Sequence, residues 1–318
     1  PVGFVQQDQP PALPYELTTG PAAPMLSSGL VRKASEMGSA QAAVSAAKAG
    51  DAVIFDLPRA EAVVIDRPVT NVQFIGGAAD WLVKADLSAC QFLWHTPVSF
   101  KQEAGALDHC VFYRSHSAGM HLTHADAVSM YYGGETVDPA ANDGKPQVRF
   151  TGFIRGVTIH KPVLRATDEQ PRWDMLWPPV FQFHSTDTNA PGYHSSVISL
   201  LTVGQTAWTP LRIVRGVGIT VAQAATRENV WANPVIDINY GIDCVVLASA
   251  FGGQGGAANA GYARQPEKLK YADHFEWGHA SPYAPFRGAA VRVAGQRNRL
   301  IGIGNLLNWS VGPRRTLP

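Results

Sequence analysis

The sequence predicts an all-β solenoid, in which short parallel strands stack on one another. Four segments repeat one apolar pattern, and their matching central residues are Val72, Cys90, Cys110 and Val128. The period that separates them is nearly constant, at roughly 20 residues, which lies in the range of solenoid repeats. One short apolar strand per repeat is typical of this architecture, because such a strand buries its inner face only against its neighbours.

The composition agrees with this fold class. Of 318 residues, 30 are Gly and 23 are Pro, whereas only 16% are charged. These proportions favour a turn-rich β protein over a helical one, as either one elongated domain or two compact ones. The net charge of +1 argues against a surface that binds nucleic acid irrespective of its sequence. No apolar run is long enough to span a membrane.

The four repeats predict two interior rows along the solenoid. Parallel strands stack about 4.8 Å apart, so that like residues pack on like. The predicted inward residues are Val72, Cys90, Cys110, Val128, Phe74, Phe92, Phe112 and Met130. Cys90 and Cys110 would then be a stacked pair of buried thiols, and the alternative is a disulfide between adjacent coils. With Cys244 as the third cysteine and no CxxC motif, the thiols do not indicate a metal site.

An Ala-rich segment before the first strand predicts a short capping helix. Ser39 is a good N-cap for this helix and Gly50 a good C-cap. The strand-like run 51–56 follows it directly. The apolar face of the helix would cover the open end of the first coil, since solenoids need such caps to stay soluble.

The cap and the early coils resemble a known family. Segments 42–51 and 62–77 are similar to the N-terminal cap and the first coils of right-handed parallel β-helix proteins of the pectate-lyase-like superfamily. The resemblance extends over residues 39–130. It implies a single-stranded right-handed parallel β-helix, and it carries no catalytic motif.

Residues 1–38 are predicted to form an extended N-terminal arm that contacts a partner or lies along the solenoid. Five prolines from Pro10 to Pro24 argue against regular structure there. Apolar residues such as Phe4 and Tyr15 favour a docked arm over the alternative, a disordered leader.

Residues 39–318 are predicted to form the β-helix. Loop insertions interrupt it at about 134–147, 160–195 and 251–288. The interior rows are expected to continue at Val157, Ile159, Ile198, Val217 and Cys244.

The two longer insertions contain the candidate ligand-binding residues. Long loops that carry aromatic side chains are usually functional, and aromatic faces stack on sugar rings. The candidates are Trp173, Trp177, His184, Asp273, His274, Trp277, His279 and Tyr283.

The candidate catalytic residues are carboxylates. Asp174 and Glu276 lie in the insertions, where paired carboxylates could cleave a glycosidic bond. Asp86, Asp108 and Asp126 repeat with the coil spacing, and Asp86 and Asp126 fit the same turn position while Asp108 is offset. Solvated surface acids are the simpler interpretation of both sets.

Neither a metal nor a cofactor is predicted. The order Asp-His-x-Glu-x-x-His in residues 273–279 matches no established metal motif. His116, His121 and His124 are interpreted as exposed turn histidines, with metal coordination as the alternative.

The resemblance, the arm and the absence of an export signal at Pro1 imply a spike or fibre component of a phage or phage-like particle, similar to tailspikes. Such a protein would bind cell-surface or capsular polysaccharide through its loops and attach to a particle anchor protein through its arm. A homotrimer is expected, on the surface of a virion or extracellular particle, with secretion as the alternative location. The alternative functions are a polysaccharide-degrading lyase or glycoside hydrolase and a purely structural particle component.

Overall fold

The computed structural model describes residues 29–77, 79–94, 99–114, 119–132, 136–137, 148–160, 163–165, 181–184, 193–199, 202–204, 211–229, 236–253 and 291–307. In this part of the chain, almost all regular structure is β-strand. The strands pair in parallel and form three long sheets. The all-β prediction is confirmed, and the stacked parallel strands are compatible with a β-helix.

Sheet 1 contains eleven of the described strands, which stack in chain order. They are Val31–Lys33, Ala52–Ile54, Gln73–Ile75, Gln91–Leu93, Val111–Tyr113, Ser129–Tyr131, Thr158–His160, Val197–Ser199, Thr220–Ala222, Val245–Leu247 and Arg299–Ile301.

Sheet 2 contains fourteen described strands and sheet 3 contains six. The strands of sheet 2 are Glu61–Ile65, Val69–Thr70, Ala79–Val83, Leu87–Ser88, Ser99–Gln102, Leu107–Asp108, Met120–Asp126, Val148–Arg155, Phe181–His184, Tyr193–His194, Leu211–Val214, Gly216–Val217, Ile236–Ile242 and Val291–Gln296. Those of sheet 3 are Thr136–Val137, Val163–Arg165, Thr202–Gly204, Ala225–Asn229, Ala250–Gly253 and Gly304–Leu307.

The chain returns to sheet 1 at intervals and pairs each new strand with the previous one; one such round is called a coil here. Phe92 pairs with Phe112 of the next coil. Met130 pairs with Ile159 in the same way, although more of the chain separates these two residues. The pairing register is therefore independent of coil length, because additional residues are accommodated between the strands.

The predicted insertion 160–195 contains strands of the coils. Val163–Arg165 belongs to sheet 3, and Phe181–His184 and Tyr193–His194 belong to sheet 2. Residues 166–180 and 185–192 of this insertion lie outside the described part of the chain.

The predicted interior rows are confirmed. Each of the eight residues is at most 2% exposed: Val72, Cys90, Cys110, Val128, Phe74, Phe92, Phe112 and Met130. The rings of Phe92 and Phe112 are stacked with centroids 4.6 Å apart. Trp81 of sheet 2 packs edge-on against Phe74 and Phe92 at 5.0 and 5.3 Å. Stacked and edge-on rings are the favoured aromatic geometries, so both sheets contribute to one apolar core.

The continuation of the interior row at Val217 is wrong. Val217 is partly exposed and pairs with His194 in sheet 2. Ile198 instead pairs with Val221, and both Ile219 and Val221 are fully buried. Val217, Ile219 and Val221 alternate along the chain and are all β-branched, so the sequence does not distinguish them. Only the strand pairing decides which of them takes which position in the coil. The other predicted continuations are buried: Val157, Ile159, Ile198 and Cys244.

Two short helices, α1 (Ala34–Met37) and α2 (Ala40–Ala46), precede the coils. The side chain of Ser39 accepts a hydrogen bond from the Ala42 N–H at 3.0 Å, which confirms the predicted N-cap. No helix in the described part of the chain is long and apolar enough to cross a membrane.

The predicted C-cap at Gly50 is wrong, because α2 ends earlier, with Ala47 as its C-cap. Gly50 has a φ of 88° and belongs to the turn before the first coil. Its N–H donates to the Asn71 carbonyl at 2.6 Å, and this contact already connects it to the next coil.

Helix α2 caps the first strand of sheet 2. Ala40, Ala43 and Val44 are buried on its inner side. The side-chain amide of Gln41 accepts from the Val64 N–H at 2.7 Å and donates to the Val64 carbonyl at 3.1 Å. One glutamine thus replaces the backbone of a missing strand and blocks an edge that would otherwise pair with another chain.

The end of the predicted arm overlaps the coils. Val31–Lys33 pairs in register with Ala52–Ile54 and is the first strand of sheet 1. Residues 1–28 lie outside the described part of the chain.

Candidate functional site

Of the predicted site residues, His184 lies in the described part of the chain. The others lie outside it, so their roles stay predictions: Trp173, Asp174, Trp177, Asp273, His274, Glu276, Trp277, His279 and Tyr283.

His184 ends the strand Phe181–His184 on the outer face of sheet 2. Phe181 and Phe183 are fully buried, so the alternation of a strand places Gln182 and His184 on the opposite face. Gln182 pairs with Arg149 on one side and with Arg212 on the other.

These residues belong to a longer line on the outer face of sheet 2. Each member is the register partner of the next, on strands that are about 4.8 Å apart. We call it the cationic row, and its members are Lys101, His121, Arg149, Gln182, Arg212, Asp237 and Arg292.

A local sequence pattern produces the row. In six strands the outward residue stands between two apolar residues that point inward: Met120-His121-Leu122, Val148-Arg149-Phe150, Phe181-Gln182-Phe183, Leu211-Arg212-Ile213, Ile236-Asp237-Ile238 and Val291-Arg292-Val293. The sequence-based ligand-binding candidates missed this site, except for His184 beside it. The recurring apolar–polar–apolar triplet was the available signal, and it predicts a half-buried strand.

At one end of the row, Asp237 is fully buried between two arginines. It accepts hydrogen bonds from Arg292 Nε and Nη2, both at 2.7 Å, and from Asn239 Nδ2 at 3.0 Å. The hydrogen bonds that Arg292 donates to Asp237 raise the pKa of its guanidinium. Arg212 Nε lies 3.3 Å from Asp237 Oδ2 but makes no hydrogen bond within the described structure. One carboxylate therefore neutralises two guanidinium groups only in part.

At the other end, Lys101 pairs with the exposed Glu103 at 2.7 Å. Arg149, in the middle of the row, is exposed and has no carboxylate partner among the described residues. The row with its contacting acids holds four permanent positive charges (Lys101, Arg149, Arg212 and Arg292) and two negative ones (Glu103 and Asp237). The local balance is 4 − 2 = +2 with the histidines neutral.

The pKa values of two histidines are lowered in this positive environment. Burial and the nearby charges of Arg149 and Lys101 hold the pKa of His121 below its ordinary value of 6.5. Burial and the charges of Arg149 and Arg212 lower the pKa of His184 in the same way. His121 Nε2 lies 2.9 Å from the Thr151 hydroxyl, whereas the buried Nδ1 of His184 has no hydrogen-bond partner in the described structure. Both rings are therefore neutral near pH 7, and each has one nitrogen that donates a hydrogen bond and one that accepts.

The placement of His121 and His124 in a turn is wrong, because both lie in the strand Met120–Asp126. His121 is partly buried in the cationic row, and His124 is exposed with its ring 4.9 Å from that of Phe153. The apolar residues Met120 and Leu122 alternate with these polar ones and fix the strand against the core. His116 lies outside the described part of the chain.

The repeated aspartates do not occupy the arrangement predicted for them. Asp108 and Asp126 are register partners on adjacent coils, and Asp86 is the offset residue. The sequence alignment of these three was wrong because the coils differ in length. Asp86 accepts the Ala106 N–H at 2.8 Å. Arg155 binds the Asp126 carboxylate through two nitrogens and lowers its pKa, so this group is held ionised and is unsuited to act as an acid.

The cysteines are buried and free, as the stacked-thiol prediction requires. Cys90 Sγ donates to the Val69 carbonyl at 3.5 Å, and Cys110 Sγ donates to the Leu87 carbonyl at 3.3 Å. Burial raises the pKa of Cys244 and disfavours its thiolate. Among the described residues, no three His, Cys, Asp or Glu side chains converge on one point as metal ligands would.

Comparisons with known proteins give no relative for this chain. No family model matches it, and no curated protein or solved structure matches it either. The functional argument therefore depends on the geometry of the chain itself.

Proposed function

We propose that the protein is a spike or fibre component of a phage or phage-like particle and that it binds cell-surface polysaccharide. The observation that carries this proposal is the cationic row with His184 beside it. Seven polar side chains in register form a line of roughly 29 Å, from six spacings of about 4.8 Å. A line of polar groups on successive strands, of which only Asp237 is fully buried, suits a linear polymer better than a small compact ligand.

The finer fold assignment belongs to this proposal. We infer a single-stranded right-handed parallel β-helix, similar to the pectate-lyase-like superfamily and most similar to tailspikes. Residues 1–28 would extend as the arm that attaches to an anchor protein of the particle. Three chains would associate through the flanks of their coils at the surface of a virion or extracellular particle.

Binding is favoured over cleavage because two carboxylates of the described coils are already engaged. Asp237 is enclosed by arginines, and Asp126 is bound by Arg155. A glycosidase of the usual kind needs one protonated and one ionised carboxyl group facing the same sugar. Asp126, which Arg155 holds ionised, is not in a position to supply the protonated group.

Incubation of the purified full chain with a panel of bacterial capsular polysaccharides and exopolysaccharides tests the function. We expect retention of at least one glycan, with no new reducing ends and no unsaturated products. Cleavage would replace the binding function with the enzymatic one, and Asp174 and Glu276 would then be mutated first. Retention of no glycan would favour a structural particle component.

A further inference from the structure

We propose that the cationic row binds an anionic polysaccharide, whose carboxylate or sulfate groups are held by Arg149 and Arg212. This inference rests on the proposed polysaccharide-binding function and names the class of glycan.

The first argument is unbalanced charge. Arg149 faces solvent without a carboxylate partner among the described residues, and Arg212 shares Asp237 with Arg292. Asp237 already accepts two hydrogen bonds from Arg292, and Arg212, which is partly exposed, lies 3.3 Å from it through Nε without a hydrogen bond. A guanidinium presents a planar fork of donors that matches a carboxylate or a sulfate.

The second argument is spacing. Arg149 and Arg212 are separated by one coil, which places their backbones roughly 10 Å apart, or two strand spacings. Gln182 lies between them and offers a neutral amide that can donate to and accept from sugar hydroxyls. Two positive side chains with a neutral one between them suit a polymer in which acidic groups recur along the chain.

The histidines provide a third argument. His184 lies next to Gln182 on the same face, and its Nδ1 has no hydrogen-bond partner in the described structure. Its lowered pKa has burial as the main cause and the charges of Arg149 and Arg212 as further causes. The charges of Arg149 and Arg212 therefore create a positive potential at this position, and an anionic ligand would be attracted to it.

A glycan fits this face better than a nucleic acid. Proteins that bind single strands combine a basic groove with aromatic side chains on which the bases stack. The seven members of the cationic row include no Trp, Tyr or Phe. The net charge of the whole chain is only +1, so there is no general attraction to phosphate backbones.

The test measures binding of the full chain to alginate and hyaluronan, to the same polymers after reduction of their carboxyl groups, to neutral dextran and to oligo-dT. We expect binding to at least one acidic polymer, loss of binding to its reduced form, and weakening at higher salt. R149Q and R212Q should each weaken binding about tenfold, since each removes a charge-assisted contact.

R299Q is the matched control, because Arg299 is an exposed arginine on sheet 1, away from the row. It should leave the affinity unchanged, and thermal melts should show all three variants folded. Equal binding of native and reduced polymers would overturn the anionic assignment while leaving polysaccharide binding intact. An equal effect of R299Q would overturn the placement of the ligand on the cationic row. Arginine-dependent binding to oligo-dT alone would overturn it in favour of a nucleic acid. Binding to none of these probes, together with retention of a neutral glycan in the panel, would also refute it, whereas no retention of any glycan would remove the proposed function itself.

Discussion

At the scale of single residues, the turn between sheet 2 and sheet 1 determines much of the backbone geometry. The same turn position is left-handed in successive coils, with φ of 50–52° at Asn71, Ala89, His109 and Ala127. The N–H of Ala127 donates to the Arg155 carbonyl of the next coil at 3.0 Å, so the position is fixed by pairing between coils. Alanine incurs a steric cost there that glycine does not.

Replacing Ala127 with glycine is expected to stabilise the protein. Relief of the left-handed strain is worth about 1–2 kcal/mol, and the greater freedom of glycine in the unfolded chain offsets about 0.4–1 kcal/mol of this. The net gain of up to about 1.6 kcal/mol can be measured by urea unfolding of A127G. Ala106, whose φ is not positive, is the control. A106G should lose stability, and a loss in A127G as well would contradict the strain argument.

At the scale of an element, the N-terminal cap depends on one carboxylate. Asp51 is buried at the start of the first coil. Its side chain accepts hydrogen bonds from the Leu30 N–H and the Lys48 N–H, both at 2.9 Å, and from Arg32 Nε at 2.7 Å. It therefore joins the first strand of sheet 1, the end of the capping segment and the first coil.

The stability provided by Asp51 is expected to depend on pH. Burial opposes its ionisation, but the hydrogen bonds from Lys48, Arg32 and Leu30 outweigh burial and place its pKa below 3.8. Because the folded pKa is lower than the unfolded one, the contribution is complete above about pH 4 and is lost as the pH falls through the folded pKa.

The variant D51N tests this at the cap. It should lose roughly 2 kcal/mol at pH 7, since an amide cannot replace the charged acceptor. The difference in Tm between wild type and D51N should shrink as the pH falls below 4. D243N is the control, because Asp243 is an exposed partner of Arg297 in a turn and should change Tm little at pH 7. A pH-independent difference for D51N would contradict the role of its charge.

At the scale of the whole molecule, stability is expected to vary along the stack of coils. Ile198 and Leu300 occupy the same interior row of sheet 1, connected by the successive pairs Ile198–Val221, Val221–Val246 and Val246–Leu300. Ile198 is fully buried, whereas Leu300 in the last described coil is 54% exposed. In a stacked fold each coil is stabilised mainly by its neighbours, so a residue covered on both sides contributes more.

The substitutions I198A and L300A compare two similar side chains in one row. I198A should cost about 2–5 kcal/mol of the unfolding free energy, because it leaves a cavity between coils. L300A should cost less than about 1 kcal/mol, as is usual for exposed positions. Chemical denaturation of both variants gives the two values. Equal losses would mean that the last described coil is covered as completely as the central ones.

The sequence by itself determined the interior rows of the first coils. The period of Val72, Cys90, Cys110 and Val128 predicted the buried rows correctly, and Ser39 predicted the start of the cap correctly. These features are local: apolar alternation within a strand and a capping side chain close to its donor. They follow from residues that are near one another in the chain.

The tertiary structure alone decided which polar residues lie side by side. Arg149, Gln182 and Arg212 are far apart in the chain, yet they are adjacent on sheet 2. The wrong placement of Val217 has the same origin. The number of residues per coil varies, but strand pairing keeps the interior residues in register. The distance between two residues along the chain therefore does not predict whether they are neighbours on the outer face. The physical reason is that core packing selects the register, and the outer row follows from it.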